Sequence, residues 1–146
     1  MKPAEYLALG WYLLPVYEIK KDKCSCNGSE CGSPGKHPRG GYGLHHASND
    51  ILQIVEWLEK WPSCNWAVAC RASGLLVVDV DPRAGGNDNF KQAIMDLGEL
   101  PPCPISHTGG DGKHYLLRHI AGKEYKGKIS SGVDIKSNGY IVIPPS

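Results

Sequence analysis

The alternation of apolar and polar positions divides the chain into helices, strands and one long stretch with no period. Residues 3–9 (PAEYLAL) predict a short helix that stops at Gly10, and Trp11 to Ile19 follows as an apolar, strand-like run. Residues 20–46 carry no periodicity and are too long for an ordinary connection. Asn49-Asp50 then offers a helix cap. Ile51, Ile54, Val55 and Leu58 recur at helical spacing and predict an amphipathic helix over 50–60, ended by Pro62. Two strands follow, Trp66–Cys70 and Leu75–Val80, and a second helix over 87–97 with Phe90, Ile94 and Leu97 on one face. Pro101, Pro102 and Pro104 break the chain. Four more strands are expected: Ile105–Thr108, His114–Arg118, Val133–Lys136 and Tyr140–Ile143. Asn138-Gly139 between the last two is a strong hairpin signal, so that pair is expected to be antiparallel. The pattern predicts an α/β or α+β sheet domain.

A length of 146 residues suits a single domain, one that hides roughly 70% of its unfolded surface. The formal net charge is only +1, so bulk electrostatics do not announce a nucleic-acid binder. Binding to a polyanion would need local clusters, and three exist: Lys20, Lys21 and Lys23; Lys36 with Arg39; and Lys123, Lys126 and Lys128. No apolar stretch approaches membrane-spanning length, and the N-terminus lacks the order of a signal peptide. A cytoplasmic protein with no membrane partner is expected. Its six cysteines then read as metal ligands or buried small residues before disulfides.

The most informative segment is Leu75-Leu76-Val77-Val78-Asp79-Val80-Asp81. On a strand, Asp79 and Asp81 point to the same face. Two like charges side by side are costly unless a cation neutralises them, and paired carboxylates suit Mg²⁺ or Mn²⁺. The plain alternative is a polar strand exit into the turn at Pro82, Gly85 and Gly86. Asp134 sits between Val133 and Ile135 on another strand; if those two face inward, Asp134 faces the opposite side. An exposed strand Asp paired with a Lys is the ordinary alternative there. Three strand carboxylates together favour a two-metal site.

Thr108-Gly109-Gly110-Asp111-Gly112-Lys113-His114 leads into the strand Tyr115-Leu116-Leu117. Glycines let backbone N–H groups approach an anion, Lys113 adds charge, and His114 offers a donor to a phosphate oxygen. The segment lacks the spacing of a Walker A loop, and a plain hairpin turn is the competing account. Cys24, Cys26, Cys31 and His37 have the spacing C-x-C-x4-C-x5-H. Three thiolates and one imidazole match a closed structural Zn²⁺ site, which would order the apolar-poor loop. Free cysteines in a flexible loop are the alternative; His45 and His46 are less well-spaced ligands. Cys64, Cys70 and Cys103 sit near apolar residues and read as packing.

Taken together, these residues resemble the bifunctional primase/polymerase N-terminal domain of the archaeo-eukaryotic primase superfamily. The resemblance begins at Ala4–Pro15 and takes in Cys24–Arg39, Asn65–Pro82, Thr108–Leu117, Gly132–Lys136 and Pro144-Pro145-Ser146. It implies an α+β fold: an RRM-like mixed or antiparallel sheet with flanking helices and a zinc-stapled loop at 20–46. It implies that Asp79, Asp81 and Asp134 hold catalytic Mg²⁺ or Mn²⁺. It also implies that His114 contacts the phosphates of an incoming nucleotide. Thr108, Gly109, Gly110 and Lys113 are further candidate nucleotide contacts, and Lys36 and Arg39 are candidates for contact with template or nucleotide or, equally, solvated surface charges. The charged Asp111 and Lys113 depart from the family's small-residue turn. Relatives continue past the Pro-Pro-Ser, so a C-terminally shortened catalytic domain is expected.

The resulting expectation is template-dependent nucleotidyl transfer by a two-metal mechanism in phage or plasmid replication. Its setting would be a bacterial, archaeal or phage-infected cell. The expected partners are nucleoside triphosphates, a single-stranded DNA template and a replicative helicase. Two rivals use the same residues: a non-catalytic zinc-containing module that binds nucleic acid, and a metal-dependent nuclease.

Overall fold

The computed structural model describes every residue except Tyr42, which lies within the aperiodic 20–46 stretch. The chain forms two compact units, one from residues 1–73 with 139–146 and one from residues 74–138. Both are built of antiparallel sheet with helices, so the class is α+β.

In the first unit, α1 (Pro3–Ala8) precedes β1 (Leu13–Val16). The expected strand over 11–19 is thus shorter, and the chain resumes pairing as the small hairpin β2 (Ile19–Lys20) and β3 (Lys23–Cys24). The aperiodic stretch therefore contains a hairpin and a short 3-10 turn at Leu44–His46, neither announced by its sequence. α2 (Ile51–Lys60) begins as expected, with the Asp50 carboxylate accepting from the Leu52 N–H. Its buried stripe is not the expected one. Ile54 and Trp57 are buried and Leu58 is partly buried, while Ile51 and Val55 are exposed; the large Trp57 indole takes the inward position that Val55 is expected to share. β4 (Asn65–Ala69) is the centre of a three-stranded sheet, between β1 and the C-terminal strand β10 (Tyr140–Ile143). Leu14, Val16 and Ala67 form the buried centre of one face. The chain end is tied in: Ser146 Oγ accepts from the Trp66 N–H at 2.9 Å, and the Tyr6 hydroxyl donates to the Pro144 carbonyl at 2.8 Å.

The polar stretch holds itself by charge. Glu18 is 5% exposed and pairs with Arg39 through Nη2 and with Lys20 at 2.9 Å. Ser63 donates to its other side at 3.3 Å. Arg39 also donates to the Ser25 hydroxyl at 3.1 Å and lies over the Tyr17 ring at 4.6 Å.

The second unit is a five-stranded antiparallel sheet. Its strands in chain order are β5 (Leu75–Val80), β6 (Ile105–His107), β7 (Lys113–Arg118), β8 (Lys128–Ser130) and β9 (Val133–Lys136). In space the order is β6-β7-β5-β9-β8, with β5 central. A β-branched, almost wholly apolar strand belongs in that central place, paired on both edges. α3 (Gly86–Leu97) packs on one face, over Val78, Val80 and Val133, with Phe90 stacked on Tyr115 at 4.9 Å. Of the face expected for α3, Phe90 and Ile94 are partly buried and Leu97 is exposed in the last turn.

The expected Asn138-Gly139 hairpin does not form. β9 pairs with β5 while β10 pairs with β4, in different sheets. A turn signal is local; here each strand finds a longer apolar partner elsewhere, and that pairing overrides it.

Burial raises the Glu18 carboxyl, but bonds from Lys20 and Arg39, together with backbone and Ser25 donors, outweigh it and bring it from 4.5 to about 2. A depressed carboxyl stabilises the fold fully above its unfolded value and loses that contribution as pH falls through the folded value. Stability measured by urea titration is expected to fall between pH 4.5 and about 2. In Glu18→Gln it should be lower at neutral pH and should vary less across that window.

Candidate functional site: a carboxylate row and a cysteine cluster

The face of the second sheet opposite α3 carries the acidic residues. Alternation along β5 sends Val78 and Val80 to the helix and Asp79 to the other side. Antiparallel register then sets Asp79 opposite His114 on β7 and opposite Asp134 on β9. The three side chains form a row across adjacent strands, with neighbouring Cβ atoms about 5 Å apart. Val133 is fully buried against the α3 side, so Asp134 faces away from it, as its flanking residues predict.

His114 is buried, with Nε2 3.4 Å from Asp79 Oδ1. Its Nδ1 is buried with no hydrogen-bond partner among the described residues. Lys136, two residues beyond Asp134 on the same face, sends Nζ to 3.4 Å from Asp134 Oδ2 and 3.9 Å from Asp79 Oδ2. Burial raises the Asp79 carboxyl, the neighbouring Asp81 adds to that, and contact with His114 and Lys136 outweighs both and lowers it. Asp79 is therefore an anion at neutral pH, and the Asp79–Asp134 pair already faces one shared cation.

Asp81 lies one step past the end of β5 and caps the 3-10 turn Pro82–Ala84, accepting from the Arg83 N–H at 3.0 Å. The Arg83 guanidinium grips both its oxygens, Nε to Oδ1 at 3.0 Å and Nη2 to Oδ2 at 2.9 Å. Its backbone is clamped as well. The Asp81 N–H donates to the Gly132 carbonyl at 2.8 Å, and the Gly86 N–H donates to the Asp81 carbonyl at 3.0 Å. A Cβ on Gly86 would stand 2.4 Å from the Gly132 carbonyl oxygen, so only glycine lets the three segments meet. Among the described residues, the three carboxylates are not drawn into a cluster as tight as the cysteine group below.

The glycine-rich segment is the β6–β7 turn. Its Asp111 N–H donates to the Thr108 carbonyl, and the Gly112 N–H to the Thr108 hydroxyl at 3.1 Å. Thr108 thus shapes the turn, while Gly109 is exposed. Gly110 lies under Arg83, where a Cβ would be 3.1 Å from the guanidinium carbon. Lys113 is exposed and, by strand alternation, faces away from His114. Lys36 is exposed on the cysteine loop, whereas Arg39 spends its guanidinium on Glu18. Lys136 and Arg83 were missing from the residues singled out by sequence. Lys136 stands two positions after Asp134 on one strand, a spacing that places both on the same face; Arg83 reaches Asp81 through the capped 3-10 turn instead.

In the first unit, Cys24, Cys26, Cys31 and His37 converge, with all four donor atoms within 4.8 Å of one another. His37 Nε2 lies 3.4 Å from Cys24 Sγ and 3.5 Å from Cys31 Sγ. A tetrahedral zinc bound at about 2.3 Å to sulfur and about 2.0 Å to nitrogen sets sulfur–nitrogen separations of about 3.5 Å. The donor set and its spacing fit that ion. Outer donors are present as well: Gly35 N–H to Cys24 Sγ and Gly28 N–H to Cys26 Sγ, both at 3.4 Å. Burial raises the Cys24 thiol, but backbone donors from Gly35 and Cys26 and contact with His37 bring it down to about 6. A backbone donor from Ser33 lowers Cys31, yet burial and the two neighbouring thiols raise it on balance. The cluster holds one thiolate easily and further ones only beside a cation. His45 and His46 are outside the group. Of the remaining cysteines, Cys70 is buried, and burial pushes the Cys64 thiol up to about 11.

A family model described as bifunctional DNA primase/polymerase, N-terminal, matches residues 3–146. The chain belongs to that family. Membership in the primase/polymerase family carries nucleotidyl transfer at the level of the family, with nucleotides and DNA as substrates. No curated protein matches the chain. No helix among the described residues is long and apolar enough to cross a membrane.

Elemental analysis is expected to find one zinc per chain. Removing it with a chelator, or replacing Cys26 with Ser, should lower the melting temperature by about 10 °C or more. An unchanged melting curve after complete chelation would show that the loop stands without metal.

Proposed function

We propose that this primase/polymerase chain joins nucleoside triphosphates on a single-stranded DNA template, with Asp79, Asp81 and Asp134 as ligands for Mg²⁺ or Mn²⁺. The observation that carries this reading is the register of β5 and β9, in which Asp79 and Asp134 stand opposite each other and reach for the same positive charge. Hard carboxylate oxygens on facing strand positions suit a hard divalent cation. A divalent ion bound there supplies Lewis-acid polarisation of the attacking 3′-hydroxyl and of the triphosphate.

The chain's own groups do the rest. His114 orients Asp79 through Nε2 and keeps it ionised, and its buried Nδ1 leaves a donor or acceptor for a further partner. Asp81 is held at the strand exit by the Gly86 and Gly132 backbones, which fixes where its oxygens can reach. The Thr108–Gly112 turn, shaped by the Thr108 hydroxyl, brings small residues beside this row, where a triphosphate needs close backbone approach. In the reaction, the primer 3′-hydroxyl gives up its proton to solvent, its oxygen bonds to the α-phosphorus, the bond to the oxygen bridging the α- and β-phosphorus breaks, and pyrophosphate leaves.

The five-stranded sheet with α3 on one face supports the RRM-like half of an archaeo-eukaryotic primase core. The Cys24–His37 cluster supports a structural zinc. Family resemblance supports work in phage or plasmid replication in the host cytoplasm, beside a helicase.

Asp79→Ala and Asp134→Ala should each reduce incorporation of labelled dNTPs on a primed single-stranded template by about a thousandfold or more. Circular dichroism should show the same fold. Wild-type rates in both variants would overturn the assignment. Shortening of the DNA in Mg²⁺ without nucleotide would identify a nuclease instead.

A further inference from the structure

The three carboxylates do not stand bare. Asp79 and Asp134 oppose each other across two paired strands, an arrangement that like charges disfavour. Lys136 lies between them, with Nζ at 3.9 and 3.4 Å from one oxygen of each. It is a third exposed, so its butyl stem can swing to solvent without unpacking the sheet. Asp81 has the same arrangement with another residue. Both its oxygens are gripped by Arg83, which is two-thirds exposed and rests on the Gly110 backbone rather than in a packed pocket. Each carboxylate that the proposed function gives to a divalent ion is thus occupied by a basic side chain on a solvent-facing stem.

We propose that Lys136 and Arg83 are resident counter-cations that a divalent metal displaces from Asp79, Asp134 and Asp81. This rests on the metal-binding reading above and adds its regulation. Metal entry is a cation exchange, not the filling of an empty anionic cup. Before the metal arrives, Lys136 keeps β5 and β9 paired despite their facing charges. Because the ammonium competes for the same oxygens, it weakens metal affinity and keeps the site from holding a divalent ion permanently. The two released basic groups stay attached beside the row. Loading thus adds the ion's full charge beside the row, while each carboxylate exchanges one cationic neighbour for another.

The test measures Mn²⁺ binding by calorimetry without nucleotide, and thermal stability with and without Mn²⁺, in the full chain. Lys136→Met keeps the stem and removes the charge. It should melt lower than wild type without metal, recover when Mn²⁺ is added, and bind Mn²⁺ about fivefold more tightly. Arg83→Gln should tighten Mn²⁺ in the same direction. Lys136→Arg, which keeps a charge, should stay near wild type. So should Lys91→Met, on the exposed side of α3, which controls for a general change in net charge. Unchanged or weaker Mn²⁺ binding in Lys136→Met overturns the exchange, as does a loss of stability that Mn²⁺ does not restore. Equal tightening in Lys91→Met overturns it too. If wild type binds no Mn²⁺ at all, the metal-binding reading itself fails, which is a separate result from failure of the exchange alone.

Discussion

The repulsion between Asp79 and Asp134 is the constraint around which the second unit is arranged. Their strands must pair, because Val78, Val80 and Val133 have no other way to bury their side chains under α3. Pairing in that register forces the two carboxylates to face each other on the far side. The fold accepts an electrostatic cost on one face in exchange for apolar burial on the other, and the cost is met by Lys136 and His114. Shifting β9 by one residue would relieve the charges, but it would turn Val133 and Ile135 out of the core.

Asp81 is positioned by a different means. It lies beyond the last ladder pair of β5, so no sheet register fixes it. Backbone contacts replace the ladder: Gly132 receives its N–H, and Gly86 donates to its carbonyl at the start of α3. Two glycines at that junction are a packing requirement, because any side chain on Gly86 would collide with carbonyl oxygen. Gly110 likewise makes room for the guanidinium that holds the Asp81 side chain. The chemistry of one carboxylate thus depends on three residues with no side chain.

The first unit solves another problem, the ordering of a long polar stretch without apolar residues to bury. Two devices share the task. Glu18 and Arg39 form a buried ion pair satisfied on several sides, with Arg39 also lying over Tyr17. The four donors at Cys24, Cys26, Cys31 and His37 gather with the spacing of a tetrahedral metal site. Neither device tolerates loss of one partner, since a buried charge or a crowded set of thiolates would be left uncompensated.

The sequence by itself determined what depends on neighbours in the chain. The strand Leu75–Val80, the cap and span of α2, and the cysteine spacing all follow from local period, capping and ligand distance. The outward face of Asp134 follows from alternation, whereas Asp81 lies past the end of its strand, where alternation no longer applies. Tertiary structure decided what depends on pairing between distant segments. It placed Asp134 opposite Asp79, sent β10 to β4 in spite of Asn138-Gly139, and gave the inward side of α2 to Trp57 over Val55. It also brought Lys136 and Arg83 onto the acidic residues and turned Arg39 onto Glu18. Period and spacing are encoded within a few residues. Register and charge partnership are settled only when strands far apart in sequence compete to bury the same apolar faces.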